Sequence, residues 1–270
     1  MSRKDRGLAP PIIVRKAYRE PSVFLPENLL REARRQKGVP EGTVPEVCVL
    51  DPDGDIVRHL RRAGAAQACE AWACYHTELD EFTRDGMEFG IVGCAVGASF
   101  AVLVAEELFA AGCAFLVSVT SAGQIVARGE PPYFVLIDRA LRDEGTSYHY
   151  LPPSDYAGID ARVLAAMEGA FDDLAVAVHR GATWSTDAPF RETNEAIAFC
   201  KEQEIMAVEM EAAALYAFAR ARGRPVVCFA HVTNRMARTE GDFEKGTADG
   251  SADALAVIAA AARRWRAGRS

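Results

Sequence analysis

Several hallmarks of membrane, secreted and nucleic-acid-binding proteins are missing from this 270-residue chain. No apolar run reaches the roughly 18 residues that a membrane-spanning helix needs. The charged first residues lead into no apolar stretch, so we expect no signal peptide and a cytoplasmic location. Acidic residues outnumber basic ones, 38 to 31, and the formal charge is −7. Nucleic acids and anionic membranes attract a basic surface, so the sequence predicts neither as a partner.

Metal and dinucleotide motifs are also missing. The seven cysteines include no Cys-x-x-Cys pair, and the spacing of Cys69, Cys74 and His76 matches no common zinc pattern. The dinucleotide fingerprint Gly-x-Gly-x-x-Gly is absent as well. Four cysteines lie in or beside apolar strand-like runs, which predicts buried and reduced thiols: Cys48, Cys94, Cys113 and Cys228. We therefore expect no metal and no bound cofactor.

Apolar strand-like runs alternate with helical segments along most of the chain, and 50% of the residues are hydrophobic. The pattern predicts strands at 45–50, 87–95, 113–119, 133–137, 174–178, 205–208 and 225–232. It predicts helices at 26–36, 56–63, 97–111, 161–171, 212–222 and 252–266, a further helix ending at Glu202, and loops at 143–153, 181–192 and 234–246. Such alternation is typical of a three-layer α/β/α fold. We expect one domain at 46–270, preceded by an N-terminal arm at 1–45.

One stretch, residues 205–232, combines a strand, an acidic corner, a helix and a second strand. Ala and Leu, which have the best helix propensities, are frequent at 212–222, and Gly223 supplies a stop signal. Glu209 and Glu211 stand at the entrance of this otherwise apolar helix. Buried carboxylates are costly unless they have partners or bind a ligand. They either form ion pairs at the helix start, where the dipole favours them, or hold a substrate.

Polar or glycine-rich residues follow four predicted strands, at 93–97, 118–123, 209–211 and 231–235. In α/β sheets, ligands bind beyond the carboxyl ends of the strands, so we expect these segments to share one site. The segment ending at Gly97 connects a strand to a helix, and the free N–H groups of a helix N-terminus suit an anion. A tight turn alone is the simpler explanation of its glycines.

Six consecutive residues, Val208-Glu209-Met210-Glu211-Ala212-Ala213, resemble the signature of the nucleoside phosphorylase family, which includes purine nucleoside phosphorylases, uridine phosphorylases and nucleosidases. Residues 92–99 and 121–123 resemble two further motifs of that family. The resemblance implies a mixed central sheet, cleavage of the N-glycosidic bond of a nucleoside, and a homo-oligomer (dimer, trimer or hexamer). It also implies that Glu211 is catalytic and grips the ribose hydroxyls, with Met210 beneath the sugar and Glu209 beside it.

Inorganic phosphate is the co-substrate of the phosphorylases in this family, and a corner rich in threonine or serine binds it. The resemblance assigns phosphate binding to one glycine and to three residues near a strand end: Gly97, Ser118, Thr120 and Ser121.

The arginines that usually bind phosphate in the family are not at their expected positions. Ser118 stands at one of them, the turn at 50–55 contains no arginine before Arg58, and residues 75–77 contain none. Guanidinium groups are the strongest bidentate partners of phosphate. Either other donors bind the phosphate, with Arg84 as a further candidate, or water is the nucleophile and the protein is a nucleosidase. A protein that only binds nucleosides is the third alternative.

The same resemblance assigns recognition of the base to two segments. Asn234 and Arg235 match the uridine phosphorylase form, in which the arginine stabilises negative charge on the leaving pyrimidine. Residues 181–193 contribute three candidates for contacts with the base: Thr183, Phe190 and Arg191. A solvated Arg235 and a helix entry capped by Asp187 are the alternatives. The resemblance thus predicts phosphorolysis to free base and ribose 1-phosphate, with uridine-like base chemistry.

Overall fold

The computed structural model describes residues 10–14, 16–236 and 240–269. Its helices are α1 (Pro26–Lys37), α2 (Asp55–Arg62), α3 (Ala98–Ala110), α4 (Ser147–Tyr150), α5 (Ala161–Ala166), α6 (Asn194–Glu202), α7 (Ala212–Arg222) and α8 (Ser251–Ala267). Its strands are β1 (Val47–Asp51), β2 (Gln67–Ala68), β3 (Asp80–Arg84), β4 (Met87–Gly93), β5 (Phe115–Gln124), β6 (Tyr133–Asp143), β7 (Tyr156–Gly158), β8 (Val178–Thr186), β9 (Ile205–Glu209) and β10 (Val226–Asn234). The charged first residues, on which the signal-peptide expectation rests, lie outside the described residues. So do residues 237–239 of the loop predicted at 234–246.

The strands form one mixed sheet in the order β10-β6-β8-β9-β5-β1-β4-β3-β2, with β7 paired to β6. β10 also pairs in parallel with β5, so β5, β9, β8, β6 and β10 close into a ring. The remaining strands extend from β5 through β1. The parallel pairing of β4, β1, β5 and β10 places their carboxyl ends at the same edge. The mixed central sheet implied by the resemblance is confirmed.

Helices cover both faces of the sheet, as strand β1 shows. Val47 and Val49 pack into one core with α2 and α8, whereas Cys48 and Leu50 pack into the opposite core with α3 and α7. Successive side chains of a strand point to opposite faces. All 5 residues of β1 are buried, as expected for a strand covered on both sides. The expected single domain with a three-layer α/β/α architecture is confirmed.

Helix α7 has the bounds predicted for it, because its composition and its stop signal agree. The residues from Ala212 to Ala219 are all buried. Gly223 adopts a φ of +64°, a left-handed conformation that glycine tolerates best, and donates its N–H to the Ala219 carbonyl oxygen. Helix α3 likewise begins directly after Gly97, whose φ is +89°. Both helices start at polar strand ends.

The N-terminal arm packs on the body of the domain. Helix α1, which matches the prediction at 26–36, contributes Leu30 and Ala33 to the core that contains α3. Farther towards the N-terminus, Lys16 Nζ lies 2.8 Å from Nδ1 of His149 in α4. The arm is therefore in contact with the body at two separate places.

The predicted loop at 181–192 is wrong in its first half, because residues up to Thr186 complete strand β8. The polar residues that suggested a loop, Thr183 and Ser185, are buried inside the protein. The strand predicted at 174–178 is also wrong, because that segment forms bends and β8 begins only at Val178. The sequence therefore did not predict the second half of β8, because its buried residues include polar ones.

Smaller differences concern short elements. Helix α4 lies inside the loop predicted at 143–153, and α5 ends at Ala166 rather than at 171. Strands β2, β3 and β7 were not predicted. β2 has 2 residues and β7 has 3, too few to show a hydrophobic periodicity, and Phe82 is the one apolar residue of β3.

The expectations from composition have two outcomes. Across the described segments, no helix is both long and apolar enough to cross a bilayer. The seven cysteines are free thiols, and all are buried except Cys94. Cys94 follows the end of β4 in a left-handed conformation with a φ of +64° and is exposed. The prediction of a buried thiol is therefore wrong at this position.

Candidate active site

The polar strand ends converge near Gly123, at the end of β5. Gly123 pairs with Val208 of β9 on one side and with Asn234 of β10 on the other. Strands β1 and β4, which run parallel to β5, end at Asp51 and Gly93. The four polar segments identified in the sequence therefore meet at one edge of the sheet.

Glu209 is buried, and both of its carboxylate oxygens accept hydrogen bonds from the protein. Thr183 Oγ1 donates to Glu209 Oε1 at 3.0 Å, and the Ser185 hydroxyl donates to the same oxygen. The backbone N–H groups of Glu211 and Ala212 both donate to Oε2 at 2.7 Å. Free N–H groups and the helix dipole favour a carboxylate at a helix start. Glu209, which Thr183 fixes by its hydroxyl, thus holds the start of α7 in place.

Glu211 is a second buried carboxylate, only 1% exposed. Gly97 N donates to its Oε1 at 2.7 Å and Met210 N donates to Oε2 at 3.3 Å, and the Thr120 hydroxyl lies beside the carboxylate. Among the described residues no cation pairs with it, so the ion-pair interpretation is wrong for Glu211. Burial, and then the charge of Glu209, raise the pKa of Glu211 to about 8, although Gly97, Thr120 and Met210 oppose this shift.

The serine corner binds a carboxylate of the chain itself. The Ser121 N–H donates to Asp53 Oδ2 at 2.9 Å, and the Ser121 hydroxyl donates to Asp53 Oδ1 at 3.0 Å. Ser118 lies earlier in β5, where it is buried between Leu50 of β1 and Cys228 of β10. The end of β5 therefore brings Ser121 to the site and leaves Ser118 within the sheet.

Two cations at this corner were not assigned from the sequence. Arg58 Nη2 donates to the Asp53 carbonyl oxygen at 2.7 Å and to Asp55 Oδ1 at 2.6 Å. Lys245 Nζ forms an ion pair with Asp55 and lies 3.7 Å from Asp53 Oδ2. Arg58 could have been found, because it lies one helical turn after Gly54. Lys245 had no local signal, because it is 190 residues away from Asp55 in sequence.

Arg84, the further phosphate candidate, is not part of this corner. It pairs with Met87, the first residue of β4, whereas the site lies beyond Gly93 at the other end of that strand. A strand of 7 residues spans about 20 Å. Arg84 therefore lies at the opposite edge of the sheet.

Two titratable residues next to the corner support the turn and the core. Asp51 accepts hydrogen bonds from Gly54 N at 3.1 Å and Val57 N at 2.9 Å, and burial raises its pKa to about 7. The His231 ring stacks on Phe134 at 4.5 Å, and burial lowers its pKa to about 4. Within the described ranges no three acidic, His or Cys side chains are grouped to bind a metal ion. The expected lack of a metal cofactor stays a prediction.

The residues predicted to meet the base differ in their surroundings. Asn234 Nδ2 donates to Thr233 Oγ1 at 3.1 Å, and Met236 N donates to Asn234 Oδ1 at 2.8 Å. The Arg235 side chain is 53% exposed and forms an ion pair with Glu130. The Asn234 carboxamide is therefore held in one orientation beside Gly123, whereas Arg235 lies at the surface.

Phe190 and Arg191 lie in a short 3₁₀ turn, Pro189–Arg191, that follows β8. Phe190 is 100% exposed, and Arg191 is exposed as well. In a single chain, both side chains therefore face solvent, and their predicted contacts with the base stay predictions.

The fold is a mixed α/β sheet, and its strand ends gather a buried carboxylate that has no cation partner among the described residues and a serine that binds a carboxylate. Such a sheet edge is where α/β proteins bind their ligands. The family model described as the phosphorylase superfamily matches residues 55–263. The chain therefore belongs to the phosphorylase superfamily.

Comparison with individual proteins agrees with this family. A guanosine phosphorylase from Halorubrum lacusprofundi is 29% identical over 186 residues, which cover 68% of this chain and 76% of that protein. A uridine phosphorylase from Thermococcus kodakarensis is 27% identical over 232 residues, which cover 76% of this chain and 84% of that protein. The crystal structure of a Vibrio fischeri uridine phosphorylase has a TM-score of 0.67 at 20% identity, covers 81% of this chain and 90% of its own, and shows the same fold. At the family level these relatives support a nucleoside phosphorylase and not a hydrolase.

Proposed function

We propose that this protein cleaves the N-glycosidic bond of a nucleoside by phosphorolysis, releasing the free base and ribose 1-phosphate. The observation that carries the proposal is the Glu211 carboxylate, which is 1% exposed and accepts a hydrogen bond from Gly97 N at 2.7 Å. A buried carboxylate without a cation is costly unless it serves a ligand. Membership of the phosphorylase superfamily makes a sugar the natural ligand.

The chemistry needs a negative charge close to the sugar. Glycosidic cleavage passes through an oxocarbenium-like state, in which positive charge grows on the ribose ring. Glu211 would accept hydrogen bonds from the 2′- and 3′-hydroxyls and stabilise that charge in a water-poor site. The pKa of Glu211 is raised to about 8 in the free protein. The hydroxyl donors of a bound sugar would lower this pKa and so favour the ionised form. Met210, which is partly exposed next to it, would form the apolar floor beneath the ribose.

Phosphate would bind at the end of β5, where Ser121 supplies an N–H and a hydroxyl. Thr120 directly precedes it, and Gly97 lies at the start of α3, with its own N–H donated to Glu211. The guanidinium of Arg58 lies on the adjacent turn, where it contacts the Asp53 carbonyl oxygen at 2.7 Å. It is a bidentate donor suited to a dianion. These residues would take the place of the family arginines that the sequence lacks.

For the base, we propose uridine-like chemistry. Asn234 carries a carboxamide, which cannot act as an acid but can donate and accept hydrogen bonds. Arg235 follows directly, and its side chain can stabilise negative charge on a leaving pyrimidine if it exchanges Glu130 for the base. The curated relatives include one guanosine and one uridine phosphorylase, so the base has to be identified by assay.

A panel of nucleosides tests the proposal. Purified protein is incubated with purine and pyrimidine ribonucleosides and 2′-deoxyribonucleosides, with and without inorganic phosphate, and free base and ribose 1-phosphate are measured. We expect release of base that requires phosphate and is fastest for uridine. Release without phosphate would indicate a nucleosidase, and binding without release a non-catalytic protein; either result contradicts phosphorolysis. Preferred release of a purine would contradict only the uridine-like base chemistry.

We further propose that the protein acts as a cytoplasmic homo-oligomer in nucleoside salvage. Three large apolar side chains support the oligomer because they are strongly exposed in the single chain: Val23 (100%), Phe24 (71%) and Phe190 (100%). Apolar side chains of this size are commonly covered at subunit interfaces.

A further inference from the structure

Both donors of Ser121 point at a carboxylate of the same chain. Asp53, in the turn after β1, accepts the Ser121 N–H at Oδ2 (2.9 Å) and the Ser121 hydroxyl at Oδ1 (3.0 Å). Two donors that contact two oxygens of the same anion suit either a carboxylate or a phosphate. The Asp53 carboxylate therefore marks an anion-binding position and also occupies it.

Neighbouring residues connect this position to the proposed sugar site. Thr120 directly precedes Ser121, and its side chain lies beside the Glu211 carboxylate. Arg58 donates to the Asp53 carbonyl oxygen at 2.7 Å, and Lys245 Nζ lies 3.7 Å from Asp53 Oδ2. An anion bound to Ser121 would thus lie near Lys245 and the turn that Arg58 contacts, one residue along β5 from Thr120 and its neighbour Glu211.

We propose that Asp53 is a built-in competitor of phosphate, which binds only by displacing the Asp53 carboxylate from Ser121. This inference rests on the proposed phosphorolysis and assigns to Asp53 the control of phosphate affinity at the same site. The two anions cannot share the Ser121 donors, because like charges at contact distance repel each other strongly. The Asp53 side chain is 30% exposed, so water can solvate the carboxylate after it leaves.

The two cations of the corner keep their other partner when Asp53 leaves Ser121. Lys245 keeps its ion pair with Asp55, and Arg58 keeps its hydrogen bond to Asp55 Oδ1 at 2.6 Å. The phosphate dianion brings two negative charges to donors that held one, and Lys245 and Arg58 are the nearby cations that can offset the difference. The affinity for phosphate is consequently lower than the donors alone would provide, by the free energy of the Asp53–Ser121 contact.

Two substitutions and a matched control test the role of Asp53. Asp53→Asn keeps the size of the side chain and removes its charge, and Asp53→Ala removes the competing acceptor. Asp249→Asn removes a charge from the same surface, but Asp249 contacts Arg62 (3.6 Å) instead of Ser121. The measurements are the KM for phosphate at a saturating nucleoside and the Kd for inorganic phosphate by calorimetry on the nucleoside-free protein. Both constants should fall on the order of tenfold or more in the Asp53 variants and far less in the control.

The inference is overturned if folded Asp53 variants bind phosphate no more tightly than the wild type, or if Asp249→Asn has an equal effect. Circular dichroism verifies folding, and Asp53→Asn, which keeps an acceptor for Ser121, serves if Asp53→Ala unfolds. Calorimetry needs no turnover, so its outcome is separate from the proposed function. Base release without phosphate would refute phosphorolysis, whereas phosphate-dependent release with unchanged Asp53 variants would refute only the competition.

Discussion

Two glutamates separated by one residue have different surroundings. Glu209 accepts two backbone N–H groups and two hydroxyls, which oppose the rise of its pKa that burial causes. Each oxygen of the Glu211 carboxylate accepts one backbone N–H, from Gly97 or Met210, and no cation among the described residues pairs with it. The carboxylate therefore keeps acceptor capacity for a ligand. A carboxylate of the first kind positions a helix, and one of the second kind can bind a substrate.

Replacing Glu211 with Gln should lower kcat on the order of 10²-fold or more. Gln keeps the size and one acceptor oxygen but loses the charge that opposes the developing positive charge on the ribose. Steady-state kinetics on the best nucleoside of the panel gives the comparison, with the exposed Glu195→Gln as the control. Normal turnover by a folded Glu211→Gln protein would show that the ribose role is wrong.

The free energy of unfolding should fall with rising pH because burial raises the pKa of Glu211. The pKa of Glu211 is raised from its ordinary 4.5 to about 8, so between these values the folded protein binds more protons than the unfolded chain. Its contribution to the free energy of unfolding is present below pH 4.5 and is lost as the pH rises towards 8, by at most about 1.4 kcal/mol per pH unit. Urea unfolding at pH 5, 7 and 9 measures this loss.

Glu211→Gln provides the reference for that measurement, because Gln does not titrate. The stability of the wild type minus that of the variant should decrease between pH 5 and 9. Asp51, whose pKa is raised to about 7, titrates in both proteins, so its effect cancels in the difference. Parallel curves for the two proteins would mean that Glu211 is ionised throughout this range.

At the scale of elements, a glycine with a positive φ stands at one end of each of two helices. Gly250 precedes α8 with a φ of +75°, and a Cβ there would overlap the His231 ring and lie 2.6 Å from the Lys245 carbonyl oxygen. Gly223 ends α7 with a φ of +64°, but nothing lies within 4 Å of its Cβ position. An alanine at either position would have to adopt a positive φ, but its Cβ would meet neighbouring atoms only at position 250.

Gly250→Ala should therefore destabilise the protein by about 2 kcal/mol more than Gly223→Ala, which should cost about 1 kcal/mol. The extra loss comes from displacing β10 at His231 and the segment that carries Lys245. Chemical denaturation of both variants in parallel measures the difference. Equal losses would show that backbone conformation alone matters at Gly250.

For the molecule as a whole, the exposed apolar residues predict self-association. We expect light scattering after size exclusion to give a multiple of the chain mass of 29.3 kDa. A double variant, Val23→Ser with Phe24→Ser, should shift the protein towards the monomer without changing its circular dichroism, because both side chains are exposed in the single chain. A wild type of 29.3 kDa at micromolar concentration would contradict the oligomer.

Sequence by itself determined the features that depend on neighbouring residues. The helix propensity of 212–222 and the stop at Gly223 predicted α7, and strand–helix alternation predicted the α/β/α layers. Six contiguous residues at 208–213 were enough to indicate the family. These signals are local, because helix propensity, capping and short motifs act over a few residues.

Only the tertiary structure decided which side chains meet. Ser121 and Asp53 are 68 residues apart in sequence, Glu211 and Gly97 are 114 apart, and Lys245 reaches Asp55 across 190 residues. Strand pairing brings these groups together, and no local pattern encodes strand order. The polar run at 181–186 looked like a loop because its partner, Glu209, becomes visible only once β8 and β9 pair side by side. Burial of polar groups is decided by partners that lie far away along the chain.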